Sequence, residues 1–197
     1  FLGANTLKFL DGGWVPILVG GVMLTVMVNW RVGRSLLAAY YSARAMDLDS
    51  FLATMHEQVA ARVPGAAVFM ASNPRGVPPV MAHHAKRIRT LHETVVLLTV
   101  VVEHEPAVDH AQRLTVQPLG QGVYRLVARV GFMQTPDVPE LLADAVEEHG
   151  LPLQLEEVTY YLGRETFTAG NGGRMRKLSE SLFGFLSRNA RPATRYF

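Results

Sequence analysis

The chain has 197 residues, no cysteine, and 19 basic against 17 acidic residues, for a net charge of +2. A balance so even does not point to a nucleic-acid partner. The absence of cysteine removes disulfides, thiolate metal sites and cysteine nucleophiles. Charged residues make up 18% of the chain, against roughly 25% in soluble domains, and the deficit falls in the first thirty residues, where Lys8 and Asp11 are the charges.

From Gly12 to Trp30 no Asp, Glu, Lys, Arg or His occurs. Nineteen helical residues reach about 28 Å, close to the hydrocarbon thickness of a bilayer. Trp14 and Trp30 bracket the run as interfacial aromatics do. Gly20 and Gly21 suit close approach of a neighbouring membrane helix, and Pro16 falls in the first turn. A core helix of a soluble protein would show a polar face at 3.6 spacing, and this segment shows none. A signal peptide would carry its bases before the apolar run, whereas Arg31 and Arg34 follow it. The segment is therefore read as a membrane span. Arg31, Arg34 and Arg44 put its C-terminal side in the cytoplasm by the positive-inside tendency. The chain opens on Phe1, with apolar sequence at once, and is expected to be a piece of a longer protein.

Residues 1–35 are assigned to the span and its flank, 36–61 to a helical connector, and 62–197 to a cytosolic α/β domain. Residues 32–61 read as helical, with Val32, Leu36, Leu37, Tyr40 and Tyr41 on one face and a second short helix expected around Phe51 to Ala61. Arg62-Val63-Pro64-Gly65 reads as a break. Ala66 to Ala71 is a short buried strand, followed by a turn over Ser72 to Pro79 and a helix from Val80 to Leu91. Thr94 to Val102 is almost wholly β-branched or Leu, as in a central strand covered on both faces.

Arg113 to Gln117 is the next strand, and Leu119-Gly120-Gln121-Gly122 turns it into Val123 to Phe132. There Tyr124, Leu126, Ala128 and Val130 alternate with Arg125 and Arg129. Pro136 to Pro139 opens a helix ended by Gly150. Val158 to Thr168 is a further strand, Gly170 to Gly173 a loop, and Arg174 to Asn189 an amphipathic helix through Leu178, Leu182, Phe185 and Leu186. The order β-α-β-β-β-α-β-α predicts a mixed sheet with packed helices.

Chemistry-bearing patterns are sparse. His83, His84 and His92 have no i+4 pairing, so they read as a solvated helix face and not as metal ligands. Glu103-His104-Glu105 reads as solvent-facing side chains, since spacing implies no nucleophile or partner for them. The loop Ser72, Asn73, Arg75 and Gly76 precedes a helix and is the best anion-binding candidate, although it fits no phosphate fingerprint. Gly170 to Lys177 lacks the order of a phosphate loop. With no triad or paired carboxylates, no enzyme and no cofactor are expected.

Several longer words are shared with a known family. They are Asn5 to Lys8, Asp11 to Pro16, Met27 to Arg34, Val63 to Met70, Ser72 to Pro74, Gly76 to Pro79 and Leu91 to Glu93. Further along come Val95 to Val101, Gly131 to Met133, Pro136 to Pro139, Tyr161 to Thr166 and Phe185 to Ala190. In this order they resemble the last membrane span and cytosolic domain of the Kup (KUP/HAK/KT) potassium uptake family. Arg75 stands where related sequences often carry an acid, and a closing segment rich in Pro, Arg and Val would be expected after Phe197.

The resemblance implies the C-terminal part of a secondary, proton-coupled potassium transporter in the cell (inner) membrane. Its parent would be a multi-span helical protein of the amino-acid/polyamine/organocation type. Potassium and protons would pass through spans outside this sequence, so no ion-binding residue is assigned. The lipid bilayer and a second copy of the chain are expected partners, and nucleic acid is not. The domain would support folding, assembly or gating. The alternative is a module that senses a cyclic dinucleotide or other nucleotide.

Overall fold

The computed structural model describes residues 13–44, 46–74, 76–163 and 177–190, apart from the side chains of 41, 43 and 44. These divide into two compact units. One pairs helix α1, Trp14–Arg44, with helix α6, Lys177–Asn189. The other comprises the described residues from 46 to 163.

α1 is one 31-residue helix. Its Thr and Ser hydroxyls are satisfied within the helix. Thr25 Oγ1 donates to the Gly21 carbonyl at 2.7 Å, Ser35 Oγ to that of Val32 at 2.9 Å and Ser42 Oγ to that of Ala39 at 3.0 Å. Such back-bonding lets a hydroxyl sit in an apolar medium without a lost hydrogen bond. Ile17, Leu18, Val22, Met23, Leu24 and Met27 are all exposed.

The second unit begins with α2, Leu48–Gln58, capped by Asp47, whose carboxylate accepts from the Ser50 amide at 3.1 Å. Leu48, Phe51 and Met55 form its buried stripe. Strand β1 is Ala61–Met70, so the expected break at Arg62 to Gly65 lies inside a strand. Its pairing shifts register between Val63 and Ala66, and Gly65 takes φ +93. A proline without an N–H and a glycine at positive φ make a bulge here, and do not end the element.

α3, Pro79–Ile88, closes with Arg89 in the left-handed region at φ 58, and β2, Thr90–Glu103, starts at once. The helix thus stops short of the expected Leu91, which is a buried strand residue. The four-residue α4, His110–Arg113, leads into β3, Leu114–Gly120. A two-residue turn at Gln121 and Gly122, both at positive φ, joins β3 to β4, Val123–Gly131.

α5, Val138–His149, is capped by Asp137 and ended by Gly150 at φ +63, after which Leu151 folds back into the core. β5 is Val158–Tyr161. The expected continuation of this strand past residue 163, the Gly170 to Gly173 loop and Arg174 to Arg176 lie outside the described residues.

The sheet order is β3-β4-β2-β1-β5, with β3 antiparallel to β4 and the other neighbouring pairs parallel. α2 and α3 cover the face carrying Ala67, Phe69, Val95, Leu97 and Val123. α5 covers the face carrying Val68, Val96, Leu98, Leu126 and Ala128. β2 lies between β4 and β1 and buries residues on both faces, as its unbroken apolar run implies.

Candidate functional site

The loop after β1 sits at the carboxyl end of the parallel strands. β1 runs on through α3 to β2 on one side, whereas its other neighbour, β5, arrives from β4 by way of α5. Open α/β sheets bind ligands at such a divergence of connections. Ser72 and Asn73 are exposed there. Gly76 forms an antiparallel bridge with Asp47, and the Val77 amide donates to the Met46 carbonyl at 3.4 Å. Arg75 lies outside the described residues. Pro78 caps α3 and Pro79 opens it, so neither offers an N–H. The Ala82 amide is taken by the Pro78 carbonyl at 3.1 Å. The other amides of the first turn are those of Val80 and Met81. Gly163, just beyond β5, lies against Val80, whose methyl a Cβ would meet.

A second cluster was not evident from sequence spacing. Tyr161 stacks on Phe69 with centroids 4.5 Å apart and planes 12° apart. His84 meets Tyr161 edge-on at 4.8 Å and Phe69 at 6.0 Å, and His92 lies 6.2 Å from Tyr161. His84 is half-buried on α3 and His92 is half-buried on β2, so the three histidines do not form one solvated helix face; His83 alone is exposed. Burial lowers the His84 pKa from its ordinary 6.5, the nearby His92 lowers it further, and a backbone hydrogen bond at Thr90 acts in the opposite sense. His92 Nδ1 is buried without a hydrogen-bond partner. The signal for this cluster was Tyr161 on a strand next to the apolar β1, but only the parallel pairing brings their rings together.

At the opposite end of β1, Arg62 ties three elements. Its Nη1 donates to the His92 carbonyl at 2.7 Å and its Nη2 to the Gln121 carbonyl at 2.8 Å, near Met55 Sδ at 3.7 Å. Burial lowers its pKa. Gln121 Nε2 in turn donates to the Leu52 carbonyl at 3.2 Å.

Glu103 pairs with Arg129 at 3.4 Å, while His104 and Glu105 are exposed. Among the described residues no three His, Cys, Asp or Glu side chains converge as a metal site. These arrangements brace a sheet and expose a loop; they do not assemble a nucleophile with a base.

α1 satisfies length and composition for crossing a membrane over Trp14–Tyr40, with almost none of that stretch buried. Residues 1–35 match the family described as K+ potassium transporter integral membrane domain. Residues 64–197 match the K+ potassium transporter C-terminal domain. The whole chain is 44% identical over 197 residues to a protein of Myxococcus xanthus (strain DK1622) named probable potassium transport system protein Kup, and covers 30% of it. It is 45% identical over 197 residues to a Syntrophobacter fumaroxidans protein named probable potassium transport system protein Kup 1, again covering 30%. A Geobacter sulfurreducens relative with that name is 44% identical over 199 residues, with 31% covered. The chain thus spans about a third of the length of the curated relatives it matches. No solved structure matches it.

Proposed function

The chain belongs to the Kup potassium transporter family, and on that premise we propose that it forms the C-terminal part of a proton-coupled potassium importer in the cell (inner) membrane. The parent is a multi-span helical transporter of the amino-acid/polyamine/organocation type. α1 is its last span, and the sheet unit is a cytosolic domain that supports folding, assembly or gating.

The observation that carries this reading is α1, whose apolar side chains are exposed along a span-length helix, followed by a separate unit with its own core. Arg31 and Arg34, exposed after the apolar run, favour a cytoplasmic C-terminal side.

The test is deletion of residues 62–197 from the full-length transporter, with rubidium uptake and membrane abundance measured together. Loss of either supports the reading, and intact uptake at intact abundance refutes a supporting role. Dependence of uptake on the proton gradient, checked with a protonophore, tests the coupling.

A second reading is that this domain senses a nucleotide. It is favoured by the position of Ser72, Asn73 and Gly76 at the divergence of connections beside β5. Calorimetry of the intact protein with cyclic dinucleotides tests it, and the absence of heat at high ligand concentration removes it.

A further inference from the structure

α6 is held to α1 by a defined contact. Asn29, only 8% exposed, donates through Nδ2 to the Ser179 carbonyl at 3.1 Å. The buried Phe183 ring lies 5.5 Å from the Trp30 ring and fills the space that Gly33 leaves open. Leu186, Asn189 and Ala190 share a shallow groove with Val26, Met27 and Trp30.

The apolar arc of α6 is wider than this contact. Leu178, Leu182 and Phe185, spaced i, i+4 and i+7, form an adjoining stripe. Leu178 is 86% exposed and Phe185 57% exposed. The rest of the circumference carries Lys177, Glu180, Ser181, Ser187 and Arg188.

Depth along α1 says what meets the exposed stripe. The contact runs from Val26 to Gly33, where the uncharged run ends and Arg31 and Arg34 begin. That is the level of the headgroups. α1 and α6 together carry five basic residues against one acid, Glu180. A basic amphipathic helix at this depth matches anionic headgroups above and acyl chains below.

We propose that α6 is an interfacial helix, packed on the span through Phe183 and seated in an anionic bilayer surface through Leu178, Leu182 and Phe185. The segment matched by the C-terminal-domain family therefore has a membrane anchor of its own. The inference rests on α1 crossing a bilayer and not on which ion is carried.

The 197-residue chain has no cysteine, so spin labels can be placed one at a time through Leu24→Cys, Leu178→Cys, Ser181→Cys and Phe185→Cys. Each is an exposed position. In vesicles of three parts phosphatidylethanolamine to one part phosphatidylglycerol, labels at 178 and 185 are expected to collide with oxygen several-fold more than with a water-soluble nickel chelate. The label at 181 gives the reverse. Preference for the chelate at 178 and 185 overturns the proposal, and so does shielding from both reagents, which would mean a second copy or another span covers the stripe. Oxygen preference that is unchanged in pure phosphatidylcholine, or unchanged by Lys177→Gln with Arg188→Gln, overturns the anionic part. Label 24 reports separately: if it prefers the chelate, the span reading fails, and if it prefers oxygen while 178 and 185 do not, only this inference fails.

Discussion

Tyr161 of β5 stacks on Phe69 of β1, with ring planes only 12° apart, across the short parallel pairing that joins β5 to the sheet. β5 is four residues long and pairs with β1 over Ala66 to Phe69. Backbone pairing over so short a length is a weak hold, and the stacked ring adds burial and an oriented aromatic contact. Truncating Tyr161→Ala is expected to cost about 2–3 kcal/mol, less than a fully buried ring because Tyr161 is half-buried. Hydrogen exchange at 158–161 should rise more than at β2. Tyr161→Phe keeps the ring and should stay near wild type; an equal loss in both variants would assign the effect to the hydroxyl.

The same cluster makes stability depend on pH. His84 is held neutral in the fold by burial and then by His92, so its folded pKa lies below the ordinary 6.5. Its elements of contact present Tyr161, Phe69 and His92, with no carboxylate among these rings to favour the cation. The unfolded chain therefore binds the proton more readily. Stability is at its full value above about pH 6.5, and falls as the pH drops from there through the lower folded value. Replacing His84→Gln should flatten that part of a urea-midpoint against pH curve. An unchanged slope in the variant would place the dependence on another group.

Much of the second unit was legible because its signals are local. The β-branched run of β2, the Asp137 and Gly150 punctuation of α5 and the Gln121-Gly122 turn each sit within a few residues of what they specify. The misses have physical causes. Pro64-Gly65 reads as a breaker, yet a strand can absorb both by shifting register. Arg89 adopts the left-handed conformation usually left to glycine, so nothing marked the end of α3, and periodicity carried the expected helix on to Leu91.

The sequence places His84 and His92 on one helix face, but they lie on a helix and a strand, each with its ring near Tyr161. For α6 the stripe Leu178, Leu182, Phe185 and Leu186 was visible, while the residue that fixes its place is Phe183. The partner of Phe183 is Gly33, which carries no hydropathy signal and lies 150 positions away in sequence.

Gly131 is expected to resist substitution although it ends a strand. A Cβ there would enter the Pro106 carbonyl. Gln134 Oε1 accepts from the Gly131 amide at 2.7 Å and from the Val108 amide at 3.0 Å, so this corner has little room to give. Gly131→Ala should lose about 1–3 kcal/mol by forcing the two chains apart. Gln134→Ala should lose about 1–2 kcal/mol, by leaving part-buried amides unpaired. Because the two residues share a network, the double variant should fall short of the sum in urea unfolding. Additive losses would separate the clash from the network.

Gly33 gives the corresponding test in the helical pair. Its missing side chain is the space that the Phe183 ring occupies, and Trp30 lies against that same ring. A methyl at position 33 cannot be accommodated while Phe183 stays in place, because the ring itself would have to move. Gly33→Ala should therefore displace α6 from α1 at a cost of about 1–3 kcal/mol, while the added methyl slightly favours the α1 helix itself. The chain has two tryptophans, Trp14 and Trp30, so Trp14→Phe leaves Trp30 as the reporter. In that background Gly33→Ala should shift the Trp30 emission and raise its access to a quencher. Shrinking the ring in the double variant Gly33→Ala with Phe183→Leu should restore part of the shielding. If Trp30 does not respond to Gly33→Ala, the ring is not seated on Gly33 in the bilayer, and the hold of α6 on the span must come from Asn29 and Ser179.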